Sequence, residues 1–190
     1  MTKGRLEAFS DGVIAILITI MVLELRPPQG ATVSALREVV PSVLTYVLSF
    51  VFLGIYWTNH HHLLQLTERV TGSVLWANLH LLFWLSLIPF VTAWMGRNHD
   101  AAVPTALYGT LMVLAAVAYQ TLQYTIIHVQ GTDSQLARAI GSDRKGKISL
   151  LLYLGAIPIA FAQPIVSDIL FVIVALVWLV PDRRIERVVQ

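Results

Sequence analysis

The distribution of apolar residues constrains this chain more than any other feature of its sequence. Long apolar runs are separated by short stretches of charged residues and turn formers. A helix that crosses the hydrocarbon core of a bilayer needs about 20 mostly apolar residues. The chain is 56% hydrophobic and only 13% charged, whereas an ordinary soluble domain has about 25% charged residues. The sequence therefore predicts a polytopic membrane protein.

Turn formers and charges divide the chain into six predicted helical segments. The first ends at Arg26, Pro27 and Pro28, because proline lacks the amide donor and restricts the residue before it. Pro164 separates the fifth segment from the sixth. The predicted spans are Phe9–Leu25, Ser42–Leu64, Ser73–Met95, Pro104–His128, Ile148–Ala162 and Ile165–Val180. No soluble domain or internal repeat is recognisable, so we expect residues 1–190 to form one all-α membrane domain.

The positions of the basic residues predict the orientation of the spans, because cytoplasmic loops are enriched in Lys and Arg. Ten Lys and Arg lie at the two termini and in the loops after the second and fourth spans, and only three lie in the other loops. Both termini are therefore expected in the cytoplasm. The same residues fall between apolar runs, so they indicate topology and give no support for nucleic-acid binding.

One face of the first span combines apolar side chains with a single hydroxyl. At about 100° per residue, this face carries Ile16, Thr19, Ile20 and Leu23. In one interpretation the stripe packs in lipid and the threonine bonds to its own backbone. In the other, the apolar side chains form a constriction in a pore and Thr19 offers oxygen to a passing cation. The periodicity alone favours packing.

Asp11 lies on nearly the opposite face of the same span and needs polar partners, because ionisable groups at membrane depth are costly. Arg5 is about 240° away around the helix, so the two do not pair easily within one straight helix. Partners are expected on the next two spans. The available side chains at the same end of those spans are Asn59, His60, His61, His62, Asn78 and His80.

The three consecutive histidines do not favour a metal site, since successive helical positions point about 100° apart and do not converge. The preferred interpretation is that one imidazole bonds Asp11 or Asn78, and pH sensing is a less favoured alternative. The chain has no cysteine, so thiolate ligands and nucleophiles are excluded. No nucleophile–base spacing, phosphate loop or TVGYG filter is present, and we expect neither an enzyme nor a bound cofactor or metal.

Arg5, Phe9, Ser10 and Asp11 form an R-x-x-x-F-S-D pattern at the start of the first span. This pattern resembles the signature of the transmembrane protein 175 family of potassium channels. The likeness extends over the whole chain and includes the run NLHLLFWLSLIPFVTAW in the third span. The resemblance implies a bacterial plasma-membrane protein that assembles as a homotetramer.

The resemblance also implies a central pore lined by the first helix of each subunit. The narrow apolar ring of the family falls on Ile16, its selectivity threonine falls on Thr19, and Ile20 and Leu23 continue the lining. A polar network would hold this helix to the second and third helices. Its expected members are Arg5, Ser10, Asp11, His61, Asn78 and His80.

The preferred function is a passive, potassium-preferring cation channel with a hydrophobic gate, whose partners are the lipid bilayer, three further copies of the chain and permeant potassium ions. The alternative is a proton-coupled secondary transporter that uses Asp11 and the histidines as a relay. Carriers commonly contain inverted repeats and pairs of broken helices, and neither is recognisable here. A membrane enzyme is disfavoured because the histidines lack ligand geometry.

Overall fold

The structure is a computed structural model that describes residues 2–141 and 143–179. The described residues form eight helices and no strand. The helices are α1 Lys3–Leu23, α2 Val33–Gln65, α3 Gly72–Ser86, α4 Ile88–Arg97, α5 Ala102–Gln130, α6 Gln135–Ile140, α7 Arg144–Ala160 and α8 Pro164–Leu179. The predicted all-α class is therefore confirmed for the described residues. Val180 and the basic residues Arg183, Arg184 and Arg187 lie outside them.

Two helices begin earlier than their apolar runs predict. α1 starts at Lys3, and α2 starts at Val33, where the Thr32 hydroxyl accepts a hydrogen bond from the amide of Ala35. Pro41 lies inside α2 without ending it. Hydropathy marks only the part of a helix that suits lipid, whereas backbone bonds and capping residues set where the helix begins.

The third predicted span consists of two helices that meet at Leu87. Pro89 is the second residue of α4, and its missing amide hydrogen interrupts the ladder at this point. Proline is well tolerated in the first turn of a helix, which also explains why α8 begins at Pro164. The polar stretch between the fourth and fifth predicted spans contains the unpredicted α6, whose first turn is capped by the Ser134 hydroxyl.

Four parts of the described chain are long and apolar enough to cross a membrane. They are α1, α2, α5 and the α3–α4 pair, Gly72–Arg97. α8 is apolar but has only 16 residues, and α7 has 17. These lengths indicate a multi-pass membrane protein.

α5 lies at the centre of the bundle, in contact with α3, α4, α7 and α8. α7 packs against α8, and α2 packs against α1, α4 and α8. α1 is placed at one side, where it contacts α2, α3 and α4. Its buried positions recur at helical spacing and are Leu6, Ser10, Ile14, Leu17 and Met21. The packing thus gives α1 one face that is fixed to the bundle and one face that is open.

Candidate ion pathway along α1

The open face of α1 carries all four residues of the apolar and hydroxyl stripe. Ile16 is 57% exposed, Ile20 is 40% exposed and Leu23 is 79% exposed. Thr19 is exposed between them. Such a face on a single protomer must be covered by lipid, by another copy of the chain or by the contents of a pore. The stripe therefore lies on a surface that the protomer itself leaves uncovered.

The hydroxyl of Thr19 has a defined orientation. Its hydrogen is donated to the backbone carbonyl of Ile16, with 2.9 Å between the oxygen atoms. This bond is the one that simple packing of a threonine in a helix also predicts. A hydroxyl oxygen has two acceptor lone pairs, so the bond leaves Oγ1 able to accept from, or to coordinate, a group beyond the helix.

A buried polar cluster joins the opposite face of α1 to α2 and α3. Asn78 Nδ2 donates to Ser10 Oγ at 3.0 Å, and Asn78 Oδ1 lies 2.7 Å from His60 Nε2. All three side chains are almost completely buried. Because the amide oxygen can only accept, the histidine must carry its hydrogen on Nε2. Asn78 therefore links the three helices through one chain of hydrogen bonds.

Asp11 is half-buried. Its hydrogen-bond partner on α2 is Trp57, which does not belong to this cluster. Trp57 Nε1 donates to Asp11 Oδ1 at 3.0 Å. The ring of His61 stacks on that of Trp57, with centroids 6.1 Å apart, and its Nε2 lies 2.8 Å from Gln65 Nε2. The carboxylate thus accepts from an indole, and His61 lies behind that indole.

Two further members of the expected network lie apart from the cluster. His80 is exposed, and its Nε2 accepts a hydrogen bond of 2.8 Å from Trp84 on the same helix. Arg5 is exposed in the first turn of α1, and its side chain forms no hydrogen bond or ion pair with any other described residue. Of the expected network, Ser10 and Asn78 are hydrogen-bonded to each other. Asp11 and His61 do not take part in that bond, but both contact Trp57.

The two ends of α1 are held by charged side chains. At the N-terminal end, Lys3 Nζ donates to the carbonyl of Gln65 at 2.7 Å. At the C-terminal end, Arg97 donates to Glu24 Oε2 at 3.0 Å, and both of these side chains are largely exposed. α1 is thus attached to the end of α2 and to the end of α4.

His60 and Trp57 are the residues that sequence reasoning missed in these roles. His60 lies seven residues after Leu53 and shares its buried face of α2. That spacing was a usable signal for choosing among the three histidines. Trp57 resembles the tryptophans that anchor helices at membrane interfaces. Only the structure, which places Asp11 of α1 opposite Trp57 of α2, shows that the indole donates a hydrogen bond.

Comparison with known proteins identifies relatives of this chain. A family model described as the endosomal/lysosomal potassium channel TMEM175 matches residues 5–89. A Chryseobacterium protein named potassium channel HX13_20290 is 51% identical over 98% of this chain and 97% of its own length. A Streptomyces collinus protein named potassium channel B446_29190 is 37% identical over 63% of this chain and 62% of its own length.

A solved structure has the same fold. It is a crystal structure described as a lysosomal potassium-selective channel TMEM175 homologue from Chamaesiphon minutus, with a TM-score of 0.84 and 29% identity. The match covers 95% of this chain and 97% of that one.

The fold and these relatives together define a multi-pass membrane protein of the ion-channel class, and not an enzyme. The chain belongs to the TMEM175 family, as the R-x-x-x-F-S-D pattern predicted.

Proposed function

We propose that this chain is the subunit of a homotetrameric, passive, potassium-preferring cation channel in the plasma membrane of a bacterium. Each subunit would contribute six spans, α7 and α8 being the two short ones, with both termini on the cytoplasmic side. In this orientation the N-terminal end of α1 is the inner end and Glu24 lies at the outer end. One observation carries the proposal: α1 exposes its stripe while its opposite face is bonded to α2 and α3.

Assembly follows from the position of α1 at the side of the protomer. A single lining helix does not enclose a pore, so several copies must surround one axis with closed rotational symmetry. The relatives named potassium channels support an assembly that conducts potassium, and the family resemblance supplies fourfold symmetry. A ring of four α1 helices would then face one another across the axis.

The chemistry of the lining follows from the side chains on the open face. A ring of Ile16 side chains offers an ion no oxygen, so it resists wetting and forms a barrier to hydrated ions. Thr19 lies one turn further out, where its hydroxyl oxygen replaces part of the lost hydration. This exchange favours potassium, the ion that is less costly to dehydrate than sodium. Ile20 and Leu23 continue the lining outward.

The structure disfavours the alternative of a proton-coupled transporter. A relay would need Asp11 to reach an imidazole, yet its described partner is the indole of Trp57. The buried imidazole of His60 is bonded to Asn78. An indole nitrogen only donates and has no lone pair to accept a proton, so this pair of contacts provides no relay between Asp11 and the histidines.

Reconstitution into potassium-loaded vesicles tests the proposal against this alternative. A channel gives potassium flux down its gradient, and the flux is unchanged when the proton gradient is collapsed at a fixed membrane potential. A coupled carrier loses flux under the same treatment. Mass measurement of the complex released from membrane should give four chains, and protein found only as monomers would contradict the proposed assembly.

A further inference from the structure

Asp168 is a carboxylate in the second turn of the otherwise apolar α8. Its Oδ1 atom is buried, and it has no hydrogen-bond partner within the part of the chain that the structure describes. Removing a charged oxygen from water is costly unless the oxygen gains a hydrogen bond, a cation or a proton. An ionisable residue in a membrane helix is therefore a candidate functional site, and here one partner is missing.

The influences on Asp168 act in opposite directions: burial and the Asp100 carboxylate favour the protonated form, whereas a charged His99 favours the ionised one. His99 and Asp100, in the connection between α4 and α5, act electrostatically on Asp168. His99 Nε2 lies 3.1 Å from Asp100 Oδ2. Within the described residues, no group of three or more histidine and acidic side chains is arranged to hold a metal ion.

Within the described residues, the charged side chains that act on Asp168 are His99 and Asp100, and neither lies on α2, α5 or α7, the helices packed against α8. On α5 the facing titratable group is Tyr108, whose hydroxyl is bonded to Ser49 of α2 at 3.0 Å. On α7 the neighbouring turn, residues 156–160, contains no titratable side chain, and the Ala156 carbonyl accepts from Ser167. A proton from solution can therefore satisfy the buried oxygen where no side chain does.

The connection that faces Asp168 also leads to α1. It begins directly after Arg97, the residue that donates to Glu24 at the outer end of α1. Asn98 and Ala101 are joined by a backbone hydrogen bond of 2.9 Å, which keeps the connection short and compact. A change in charge at Asp168 thus acts on a segment that is attached to the stripe-bearing helix.

We propose that Asp168 is a proton-binding site at the outer end of each subunit, and that its protonation is transmitted through the α4–α5 connection and the Arg97–Glu24 pair to α1. The proton comes from the outer solution and returns to it, and no other bond is made or broken. Protonation removes the buried charge and with it the electrostatic action of Asp168 on the connection, and this change restrains α1. Acid outside therefore lowers conduction. The transmission to α1 rests on the proposed channel function, whereas proton binding does not.

The test uses the full-length protein in a His99→Gln background, which removes the imidazole that acts on Asp168. In planar bilayers the outer solution is moved from about pH 8 to about pH 5 while the inner solution is held constant. We expect potassium conductance to fall about fivefold, at the lower end of typical coupling between sites. Asp168→Asn should abolish the response, while Asp133→Asn, an exposed carboxylate at the other end of the molecule, should leave it unchanged.

A second readout separates proton binding from its transmission. In detergent, acidification should raise the melting midpoint of the background protein by about 3 °C relative to Asp168→Asn, because protonation relieves the unpartnered buried oxygen of the folded state. Glu24→Gln should keep this melting shift and lose the conductance response. If Asp168→Asn does not assemble, Asp168→Ser takes its place in both measurements.

Each outcome decides one part of the inference. An Asp168→Asn protein that still responds to acid, or a background protein that responds in neither measurement, overturns it. A melting shift that depends on Asp168, in a protein that conducts no potassium, supports the proton site and rejects the proposed function. A conductance response that survives Glu24→Gln rejects the route to α1.

Discussion

The two ends of α1 are held in different ways. At the N-terminal end, which is the inner end in the proposed orientation, buried Ser10 is bonded to Asn78, which in turn bonds His60. At the outer end, a single exposed ion pair joins Glu24 to Arg97. A buried hydrogen-bond network makes a structure more rigid the more completely it is satisfied, and in this network only His60 Nδ1 lacks a partner among the described residues. Exposed ion pairs, by contrast, contribute about 0–1 kcal/mol. The comparison indicates that buried polar contacts hold the N-terminal half of α1, whereas the C-terminal half is held by the apolar packing of Leu17 and Met21 and by a weak ion pair.

The largest expected effect comes from breaking the inner attachment with Asn78→Leu. The leucine has a similar size but leaves the His60 Nε2 hydrogen and the Ser10 hydroxyl without their partner. Each buried unsatisfied group costs about 1–3 kcal/mol. We expect a large fall in the melting midpoint in detergent and little assembled protein. Asn98→Leu is the matched control, because the Asn98 amide is exposed and bonds only to the carbonyl of Trp94; an equal loss there would reject the comparison.

The second prediction concerns Ile16, which lies on α1 between the polar attachment at Ser10 and the ion pair at Glu24. Ile16→Asn should wet the constriction, raise single-channel conductance about tenfold and reduce discrimination between potassium and sodium. A tenfold change corresponds to about 1.4 kcal/mol. Bilayer recordings measure both quantities. Val22→Asn is the control, since Val22 is also exposed on α1 but lies away from the stripe. Equal effects of the two substitutions would show that polarity anywhere on α1 is sufficient.

The sequence predicted the strongly periodic parts of this molecule well. Apolar runs located the four described stretches that are long and apolar enough to cross a membrane, and the short R-x-x-x-F-S-D pattern identified the family. The stripe on α1 was found because 3.6-residue periodicity depends only on the backbone. The starts of α1 and α2 were missed because helices continue past the apolar stretch that hydropathy detects.

The partners in the polar contacts could not be predicted to the same extent. Which histidine bonds Asn78 depends on how α2 and α3 are rotated about their own axes relative to each other. A single sequence does not reveal that rotation. Choosing His61 instead of His60 is an error of one position, about 100° around the helix. Asp168 was missed for another reason: a single carboxylate in an apolar run gives no spacing pattern, and only its burial shows that a partner is lacking.

The third prediction concerns Thr19, in the C-terminal half of α1. Thr19→Val keeps the shape of the side chain and removes the hydroxyl oxygen, so the preference for potassium over sodium should fall about threefold, or less than 1 kcal/mol. Reversal potentials under bi-ionic conditions measure this ratio. Thr121→Val is the matched control, because Thr121 is exposed on α5 and its hydroxyl likewise donates to its own helix. Both variants should assemble normally. If Thr19→Val does not change the selectivity, the stripe serves only in packing.

The smallest expected effect on stability belongs to the outer attachment. Glu24→Gln removes the charge of a pair whose side chains are each more than two-fifths exposed, so the free energy of unfolding should fall by less than about 1 kcal/mol. A double-mutant cycle with Arg97→Gln isolates the coupling between the two side chains, and its value should shrink as salt screens the pair. The small loss of stability should still free the outer end of α1 and raise conductance slightly. If the cycle instead gives a coupling as large as the loss in Asn78→Leu, both ends of α1 are fixed, and conduction must depend on motion elsewhere.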